Sequence, residues 1–489
     1  MLFNSHIFIL LFLPLLLAGW YFLNWKKKFQ LAQGYLIGMS LWFYAYANLQ
    51  YLWLLLFSCL IGWLLSCLPE KISSEKGKKV LTGVGCVFHL GLLGYFKYSN
   101  FFLENLNTVF HTDFPMLQIL LPVGISFYTF QQLAYLIDRC RGDAPRDSFF
   151  DYLTFMVYFP QLLQGPILLR SEFMGQLKEP ERRRFHAERF SEGIQFFVFG
   201  LAKKVLLADT LAKAVNYGYS NVSMLDSISA LLLAVGYLTE LYFDFSGYCD
   251  MAVGLGKMIG LEVAENFDAP FHSASVKEFW RRWHMTLGRF FTRYVYIPLG
   301  GNRRGKMRTL CNVMIVMLLS GLWHGAAWTF VLWGFLHGVG MIWDNLEHPH
   351  LPKKWMRQAA TFAYVCMTFV FFRAESIAQG IDVLKSIVSL KWNGFVFQMA
   401  SALDMTECYI ITKALSMKLP GLLSWFWLGI FVVLIAICFR VLSGEKVSGV
   451  VALQKQKGYG RLYPVLLAVL FTWSMISMTG VSEYLYFSF

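Results

Sequence analysis

Long apolar runs separated by short polar or basic stretches make up most of the chain. A membrane-spanning helix needs about 20 apolar residues, and roughly eleven segments approach that length. This pattern predicts an all-α, polytopic integral membrane protein. The predicted spans cover residues 5–23, 31–47, 50–67, 80–96, 116–137, 190–215, 226–248, 311–343, 358–373, 423–440 and 462–480.

Composition and charge support a membrane location. Hydrophobic residues make up 57% of the chain and charged residues only 15%, which is too apolar for a soluble protein. The net charge of +13 does not indicate nucleic-acid binding, because Lys and Arg form short clusters between apolar runs. Lys26, Lys27 and Lys28 follow the first run, which predicts a cytoplasmic end there and an extracytoplasmic N-terminus. The first run lacks a basic leader and a cleavage site, so we interpret it as a retained span.

Residues 151–169 are apolar but break the alternation of cytoplasmic and extracytoplasmic loops. Both ends adjoin basic loops, and Pro160, Gly165 and Pro166 interrupt the run. Non-helical backbone at membrane depth persists only where protein or a water-filled cavity surrounds it. We therefore predict a re-entrant or interfacial element here, within a single membrane-embedded domain over residues 1–489.

His324 is the main candidate for chemistry. It lies in an apolar run that follows a basic, aromatic stretch, and Gly321 and Gly325 flank it with positions that let a ligand or another backbone come close. A neutral imidazole takes a proton from an attacking hydroxyl near neutral pH, an effect worth roughly 10²–10⁴-fold in rate. The alternative is a histidine that is hydrogen-bonded within a helix bundle.

Two further histidines carry weaker signals. His284 lies in the basic stretch, where an interfacial histidine needs no special explanation. His337 follows His324 by 13 positions, which predicts different faces of one helix and argues against a two-histidine metal site. The nine cysteines show neither a CxxC pair nor zinc-ligand spacing. We expect no metal and no resident cofactor.

Charged residues near these histidines suggest ion pairs or phosphate binding. Asp244 is set among aromatic residues, and we predict that it pairs with Arg281 or Arg282 at the end of a span. The same arginines suit phosphate, because the guanidinium fork matches phosphate oxygens. The sequence leaves both uses open. No Walker A loop, GxSxG elbow or HExxH motif is present, so ATPase and hydrolase functions lose their usual sequence support.

Nine ordered motifs resemble those of bacterial membrane-bound O-acyltransferases, and within that family the alginate O-acetyltransferase subfamily. The resemblance covers nearly the whole chain. The motifs are LLPVGISFYTFQQLAYLID at 120–138, FPQLLQGPI at 159–167, YFDFSGYCDMAVGLGKMIG at 242–260, ENFDAPF at 265–271, EFWRRWH at 278–284, YIPLGGNRRG at 296–305, WHGAAWTFVLWGFLHG at 323–338, FFRAES at 371–376 and YLYFSF at 484–489.

The resemblance implies a ring of helices around a thinned centre, where an outer funnel meets a cytoplasmic pocket. It implies that His324 matches the family's catalytic intramembrane histidine and that His284 matches its second histidine. The candidate substrate-binding residues are Arg281, Arg282, Trp283, Asp244, Trp323, Asn302 and Arg303.

One stretch departs from the family pattern. Where many relatives read Ser-Leu-Ser and later Arg-Asp-Tyr, this chain has residues 286–288 as Thr-Leu-Gly and residues 292–294 as Thr-Arg-Tyr. A carboxylate is missing and a cation is added, so charge pairing carried over from the family does not apply directly.

The resemblance implies an enzyme of the bacterial inner membrane that moves an acyl group, expected to be acetyl, from a cytoplasmic thioester toward an exported polysaccharide. The donor would be acetyl-CoA or an acyl-carrier thioester. Such enzymes usually work with a separate extracytoplasmic acyltransferase protein, which we expect as a partner beside the lipid bilayer. Two alternatives are D-alanyl transfer to teichoic acid and a transporter or flippase without bond chemistry.

Overall fold

The computed structural model describes residues 1–346, 352–442, 446–458, 460, 462–478 and 484–485, and these residues contain helices and no β-strand. The all-α prediction is confirmed. Within the described residues, 6 helical segments are long and apolar enough to cross a membrane, fewer than the sequence suggested, because several apolar runs form shorter or interrupted helices. The candidate spans are Phe8–Trp25, Leu49–Lys71, Glu75–Phe110, Ser227–Ile259, Lys306–His324 and Pro420–Val441.

The first half of the chain folds into twelve α-helices. They are α1 (Leu13–Trp25), α2 (Phe29–Asn48), α3 (Leu52–Ser66), α4 (Glu75–Leu93), α5 (Ser99–Phe110), α6 (Ile125–Arg141), α7 (Phe149–Val157), α8 (Phe159–Leu162), α9 (Arg170–Leu177), α10 (Ala187–Ala202), α11 (Asp209–Ser220) and α12 (Ser227–Ile259). Short π-helical segments at Gly94–Tyr98 and Lys203–Ala208 join α4 to α5 and α10 to α11 without interrupting the helical path.

The second half contributes eleven more α-helices among the described residues. They are α13 (Val276–Arg282), α14 (Met285–Phe291), α15 (Lys306–His324), α16 (Trp328–Asn345), α17 (Lys354–Arg373), α18 (Ile377–Val388), α19 (Phe395–Ser401), α20 (Tyr409–Lys418), α21 (Pro420–Leu442), α22 (Val447–Gln456) and α23 (Leu462–Ser477). Residues 486–489 of the C-terminal motif and the last two residues of the predicted span 462–480 lie outside the described residues.

Helix α12 is the central helix, because most of its length is enclosed by other helices. Asp226 caps its N-terminus, where Oδ1 accepts a hydrogen bond of 2.8 Å from Ser229 N. Gly260 ends it in the left-handed region with φ +87°. The helix spans 33 residues, so it extends beyond the predicted span 226–248. Asp244 therefore lies inside the helix, and its predicted place at the end of a membrane span stays a prediction.

Glycines bring α10 and α12 into backbone contact. A Cβ on Gly193 would lie 2.7 Å from Gly254 O, and a Cβ on Gly200 would lie 2.6 Å from Gly247 O. Real Cβ atoms do not approach a carbonyl oxygen this closely, so only glycine fits at these positions. The two helices are thus fixed against each other at two points, one helical heptad apart.

The segment 149–169 is broken and enclosed by protein. Helix α7 ends at Val157, α8 follows for one turn, and no regular helix continues to Arg170. Nearly every side chain from Tyr152 to Leu168 is buried. The predicted interruption is confirmed, and the depth of this segment in the bilayer stays a prediction.

The predicted long span 311–343 is a hairpin of two helices. Gly325 is extended, with φ −158° and ψ 151°, and it ends α15 one residue after His324. Helices α15 and α16 then pack closely, because Gly321 lies where an added Cβ would be 3.2 Å from Gly334 Cα. The prediction of one continuous helix is therefore wrong, because the backbone becomes extended at Gly325, where the Phe330 ring fills the space of an added Cβ.

Candidate active site

His324 is the last residue of α15 and is enclosed by aromatic rings. Its side chain is 4% exposed. The ring centroid lies 4.9 Å from that of Trp323, 5.1 Å from that of Trp333 and 5.2 Å from that of Phe372. The sequence predicted His324 within one long span, 311–343. The structure places it at the C-terminal end of α15, where the last backbone carbonyls of that helix also lie.

His284 faces His324 from a different segment. It precedes α14 in the left-handed backbone region, with φ +45°, a conformation that costs a residue other than glycine about 1 kcal/mol or more. Its ring is fully buried and its centroid lies 6.5 Å from that of His324. The structure therefore brings together the two histidines that the sequence suggested as catalytic.

Asn266 sets the orientation and the tautomer of His284. Its Oδ1 accepts hydrogen bonds from Thr286 N and Thr286 Oγ1, each 3.0 Å long. A backbone N–H can only donate, so Oδ1 is an acceptor and His284 Nδ1, 3.2 Å away, must be the donor. In the neutral ring, the lone pair of His284 is therefore on Nε2.

The backbone around Asn266 strengthens this arrangement. Met285 N donates to Asn266 O over 3.0 Å, and Asp268 N donates to Arg282 O over 2.9 Å. Thr286 Oγ1 also accepts a 3.1 Å bond from Ile167 N, in the broken segment 149–169. Three separate sequence motifs thus hold one histidine in place.

His337 has a different environment. Trp280 Nε1 donates to His337 Nδ1 over 3.2 Å, and His337 Nε2 lies 2.9 Å from Thr368 Oγ1. Because the Thr368 hydroxyl donates to Val365 O, its oxygen accepts from Nε2–H. Both ring nitrogens are therefore used within the helix bundle, which is a structural role. Within the described residues, no group of three or more His, Cys, Asp or Glu side chains could hold a metal.

A small cavity of about 40 Å³ borders His324. Its wall is formed by Lys97, Leu163, Trp323, His324 and the segment 121–127 that leads into α6. This space is larger than one water needs. A small reacting group would fit in this space beside His324.

A much larger cavity of about 1250 Å³ lies between α10 and α12 on one side and α21 and α23 on the other. Its wall includes Asn266, the partner of His284, and the ion pair between Lys203 Nζ and Asp250, 2.6 Å apart. Apolar side chains of α21 and α23 form the opposite wall. This cavity therefore borders the Asn266 side of the histidine pair, whereas the small cavity borders His324.

Asp244 does not pair with the arginines of the basic stretch, and that prediction is wrong. Its Oδ1 lies 2.6 Å from Lys204 Nζ, and its Oδ2 accepts a 3.0 Å bond from Leu485 N. Lys204 Nζ also lies 2.8 Å from Asp209. The carboxylate therefore faces the π-helical segment Lys203–Ala208 and the C-terminal segment.

The other predicted substrate-binding residues lie at varied distances from the histidines. Trp323 packs against His284 with centroids 6.0 Å apart, so it belongs to the site. Trp283 is 3% exposed and stacks on Phe279 in the core. Asn302 and Arg303 are exposed in the turn before α15, whose first residue, Lys306, lies roughly 27 Å from His324 along the helix axis.

The arginines of the basic stretch divide into paired and exposed side chains. Arg282 Nη2 lies 3.0 Å from Glu278. Arg293, the added cation, lies 3.0 Å from Asp138 and 3.2 Å from Asp143, so this chain supplies its own carboxylates for it. Arg281 is exposed, and no ion pair forms with it among the described residues.

Three residues of the site, Lys97, Asn266 and Thr286, were not predicted from the sequence. A signal existed for Lys97, a single cation between Phe96 and Tyr98 in an otherwise apolar run. An ionisable side chain at that position deserves a functional hypothesis by default. Asn266 lies in the ENFDAPF motif, but only the fold shows that its amide contacts His284.

Comparison with known proteins places these residues in a family. The family model described as MBOAT, membrane-bound O-acyltransferase family, matches residues 141–380, which include His284, His324 and Asn266. The chain is 36% identical over 423 residues to the peptidoglycan O-acetyltransferase of Helicobacter pylori, covering 80% of each chain.

Two further relatives refine the comparison. The chain is 39% identical over 389 residues to the probable alginate O-acetylase AlgI of Azotobacter vinelandii, covering 77% of this chain and 76% of that one. It is 28% identical over 253 residues to the teichoic acid D-alanyltransferase of Streptococcus thermophilus, covering 49% of this chain and 58% of that one. The all-α membrane fold, the ordered motifs and these similarities together establish that the chain belongs to the membrane-bound O-acyltransferase family and is an acyltransferase.

Proposed function

We propose that the protein takes an acetyl group from a cytoplasmic thioester and passes it through the membrane toward hydroxyl groups of an exported polysaccharide, with His324 as general base. The observation that carries this proposal is the buried pair of histidines, with ring centroids 6.5 Å apart, beside a small cavity. Aromatic rings enclose His324, and a thioester carbonyl that fills the small cavity displaces water from it and is protected from hydrolysis.

The proposed chemistry uses the two histidines in different roles. The acceptor hydroxyl oxygen attacks the thioester carbonyl carbon, a C–O bond forms, and His324 takes the hydroxyl proton. The carbonyl electron pair moves onto its oxygen. When the C=O bond re-forms, the C–S bond breaks and the thiolate leaves with the proton from His324. His284, held by Asn266, is assigned an orienting role at the reacting centre.

Exposed arginines support a donor that carries phosphates. Arg281, Arg303 and Arg304 are exposed, and guanidinium groups bind phosphate oxygens through two parallel hydrogen bonds. Coenzyme A carries its thioester on a long arm, so its nucleotide can be bound far from His324. We propose acetyl-CoA as the donor, with the carrier-protein thioester as the alternative.

The proposed orientation places residues 277–308 in the cytoplasm of a bacterial cell, at the inner membrane, with the N-terminus outside. The basic clusters support it. A test is Asn302→Cys in a background without reactive thiols, since Asn302 is exposed. An impermeant thiol reagent should label it only after the membrane is opened, and labelling of intact cells would reverse the orientation.

The acceptor class rests on the relatives named above. The O-acetylating relatives match about four fifths of this chain, whereas the D-alanyltransferase matches about half at lower identity. This favours O-acetylation of an exported or cell-surface polysaccharide over D-alanyl transfer. We also propose a separate extracytoplasmic acyltransferase that completes the transfer to sugar hydroxyls.

The decisive experiment measures donor consumption by the purified protein. Wild-type protein in detergent with labelled acetyl-CoA and a soluble acceptor should release free coenzyme A, and His324→Ala should not. His89→Ala is the matched control, because His89 is equally buried but lies in α4. Release of coenzyme A by His324→Ala at the wild-type rate would remove the general-base role. No donor consumption by the wild type, with transport of an acylated substrate, would favour the transporter instead.

A further inference from the structure

Lys97 contacts the end of the helix that carries His324. Its Nζ donates to Trp323 O over 2.7 Å and to His324 O over 2.9 Å, and the neighbouring Tyr98 hydroxyl donates to Leu322 O. These carbonyls belong to the last turn of α15, where no backbone N–H follows to satisfy them. The side chains of Lys97 and Tyr98 therefore cap this helix end from another helix.

Lys97 differs from Lys203 and Lys204, two lysines that also have restricted exposure in the helix bundle. Lys203 lies 2.6 Å from Asp250, and Lys204 lies 2.6 Å from Asp244. In the part of the chain that the structure describes, no carboxylate lies within ion-pair distance of Lys97. Its charge meets only the partial negative charge of a helix C-terminus, about half an elementary charge. The ammonium of Lys97 thus leaves a net positive field beside His324.

The cavity beside His324 places this charge where a reacting group fits. Lys97 and His324 both line the space of about 40 Å³, which accommodates a small group and little else. Two of the three ammonium N–H groups bind the carbonyls of Trp323 and His324. The third is left for a ligand in the cavity, which His324 also borders.

We infer that Lys97 is a catalytic residue whose ammonium binds the acyl carbonyl oxygen of the thioester and stabilises the negative charge that develops on it. This inference rests on the proposed function. When the acceptor hydroxyl attacks the carbonyl carbon and His324 takes its proton, the carbonyl electron pair moves onto oxygen beside Lys97. As the C–S bond breaks, that pair returns to the carbonyl, and the ammonium keeps all its protons throughout.

A fixed donor at a developing oxyanion is worth roughly 10²–10³-fold in turnover. Lys97→Met keeps the length of the side chain and removes the charge, so it should lower kcat by about that factor while the KM for acetyl-CoA stays within about threefold. Lys97→Arg, which keeps the charge, should retain more activity than Lys97→Met.

Two further variants separate the charge from the capping contact. Lys97→Gln keeps amide donors for the helix-end carbonyls without the charge, and it should be as slow as Lys97→Met. Tyr98→Phe removes only the hydrogen bond to Leu322 O and should lower kcat by less than about threefold, on the scale of one uncharged hydrogen bond. Activity of Lys97→Gln near that of wild type would show a capping role alone and overturn the inference.

The assay also separates this inference from the proposed function. Each variant is checked for a monodisperse profile in detergent, and Lys97→Gln replaces Lys97→Met if the latter does not fold. Wild-type turnover of acetyl-CoA together with wild-type kcat in both uncharged variants would reject Lys97 and leave His324 standing. Absence of acetyl-CoA turnover in the wild type would reject the proposed donor and the role of Lys97 with it.

Discussion

His324 and His337 lie on consecutive helices and contact the same indole, that of Trp333, with ring centroids 5.1 Å and 4.8 Å away. Both are almost fully buried. They differ in what lies next to them. His337 is bonded on both sides by Trp280 and Thr368, whereas His324 ends a helix beside a cavity and a second histidine. Burial alone therefore does not identify a catalytic histidine, but an adjoining cavity does distinguish the two.

The largest expected effect is on turnover when the imidazole beside the cavity is removed. His324→Gln keeps a polar side chain of similar size but cannot act as a base, so kcat should fall by roughly 10²–10⁴-fold. Initial rates of coenzyme A release by purified protein measure this. A fall of less than about tenfold would mean that another group takes the hydroxyl proton.

The second largest loss of turnover is expected when His284 loses its hydrogen-bond partner. Asn266→Ala removes the acceptor that keeps the proton of His284 on Nδ1, and kcat should fall by at least about tenfold, equivalent to ~1.4 kcal/mol. Asn312→Ala is the control, because Asn312 is also fully buried but binds Gly301 O, at the other end of α15. Equal losses in both variants would indicate general destabilisation and not a specific effect on His284.

A third effect should appear in donor affinity and not in turnover. Arg303→Ala should raise the KM for acetyl-CoA by about tenfold if its guanidinium binds phosphate, since a charge-assisted contact is worth about 1.5–3 kcal/mol. Arg282→Ala should raise it less, because Arg282 is already paired with Glu278. An unchanged KM in Arg303→Ala would assign this arginine to membrane orientation alone and favour a carrier-protein donor.

The smallest effect on activity is expected for the structural histidine. His337→Ala leaves Trp280 Nε1 without its acceptor, so the free energy of unfolding should fall by about 1–3 kcal/mol. Turnover per folded molecule should stay within about threefold of wild type. Thermal unfolding in detergent and active-site-normalised rates measure the two quantities. Lost turnover with unchanged thermal stability would contradict the structural role.

The sequence predicted the features that depend on local pattern. The all-α membrane class follows from apolar length, and the broken segment 151–169 follows from Pro160, Gly165 and Pro166, whose effects on the backbone are local. Glycine beside His324 correctly indicated close approach of another backbone. The prediction of one helix over residues 311–343 failed at Gly325, because a glycine within an apolar run is equally compatible with a helix and with a turn.

Long-range partners could not be predicted in the same way. Asp244 was expected to pair with nearby arginines in the sequence, but the turn of α12 directs it toward Lys204. Lys97 was missed because a window of about 20 apolar residues ended just before it, whereas the structure continues the helix to Phe110. The first error concerns which side of a helix meets which neighbour, and the second concerns where a helix ends. No single run of residues contains the contact of Asp244 with Lys204 or that of Lys97 with α15.

The glycine contacts between α10 and α12 have a mechanical consequence. At Gly193 and Gly200 the backbones of the two helices touch, so no side chain there can change rotamer to let the helices slide or separate. One wall of the large cavity is therefore stiff. Its opposite wall, built from side chains of α21 and α23, has many rotatable bonds. Any widening of the cavity to admit a bulky molecule would have to come from movement of α21 and α23, with the α10–α12 pair as the fixed support.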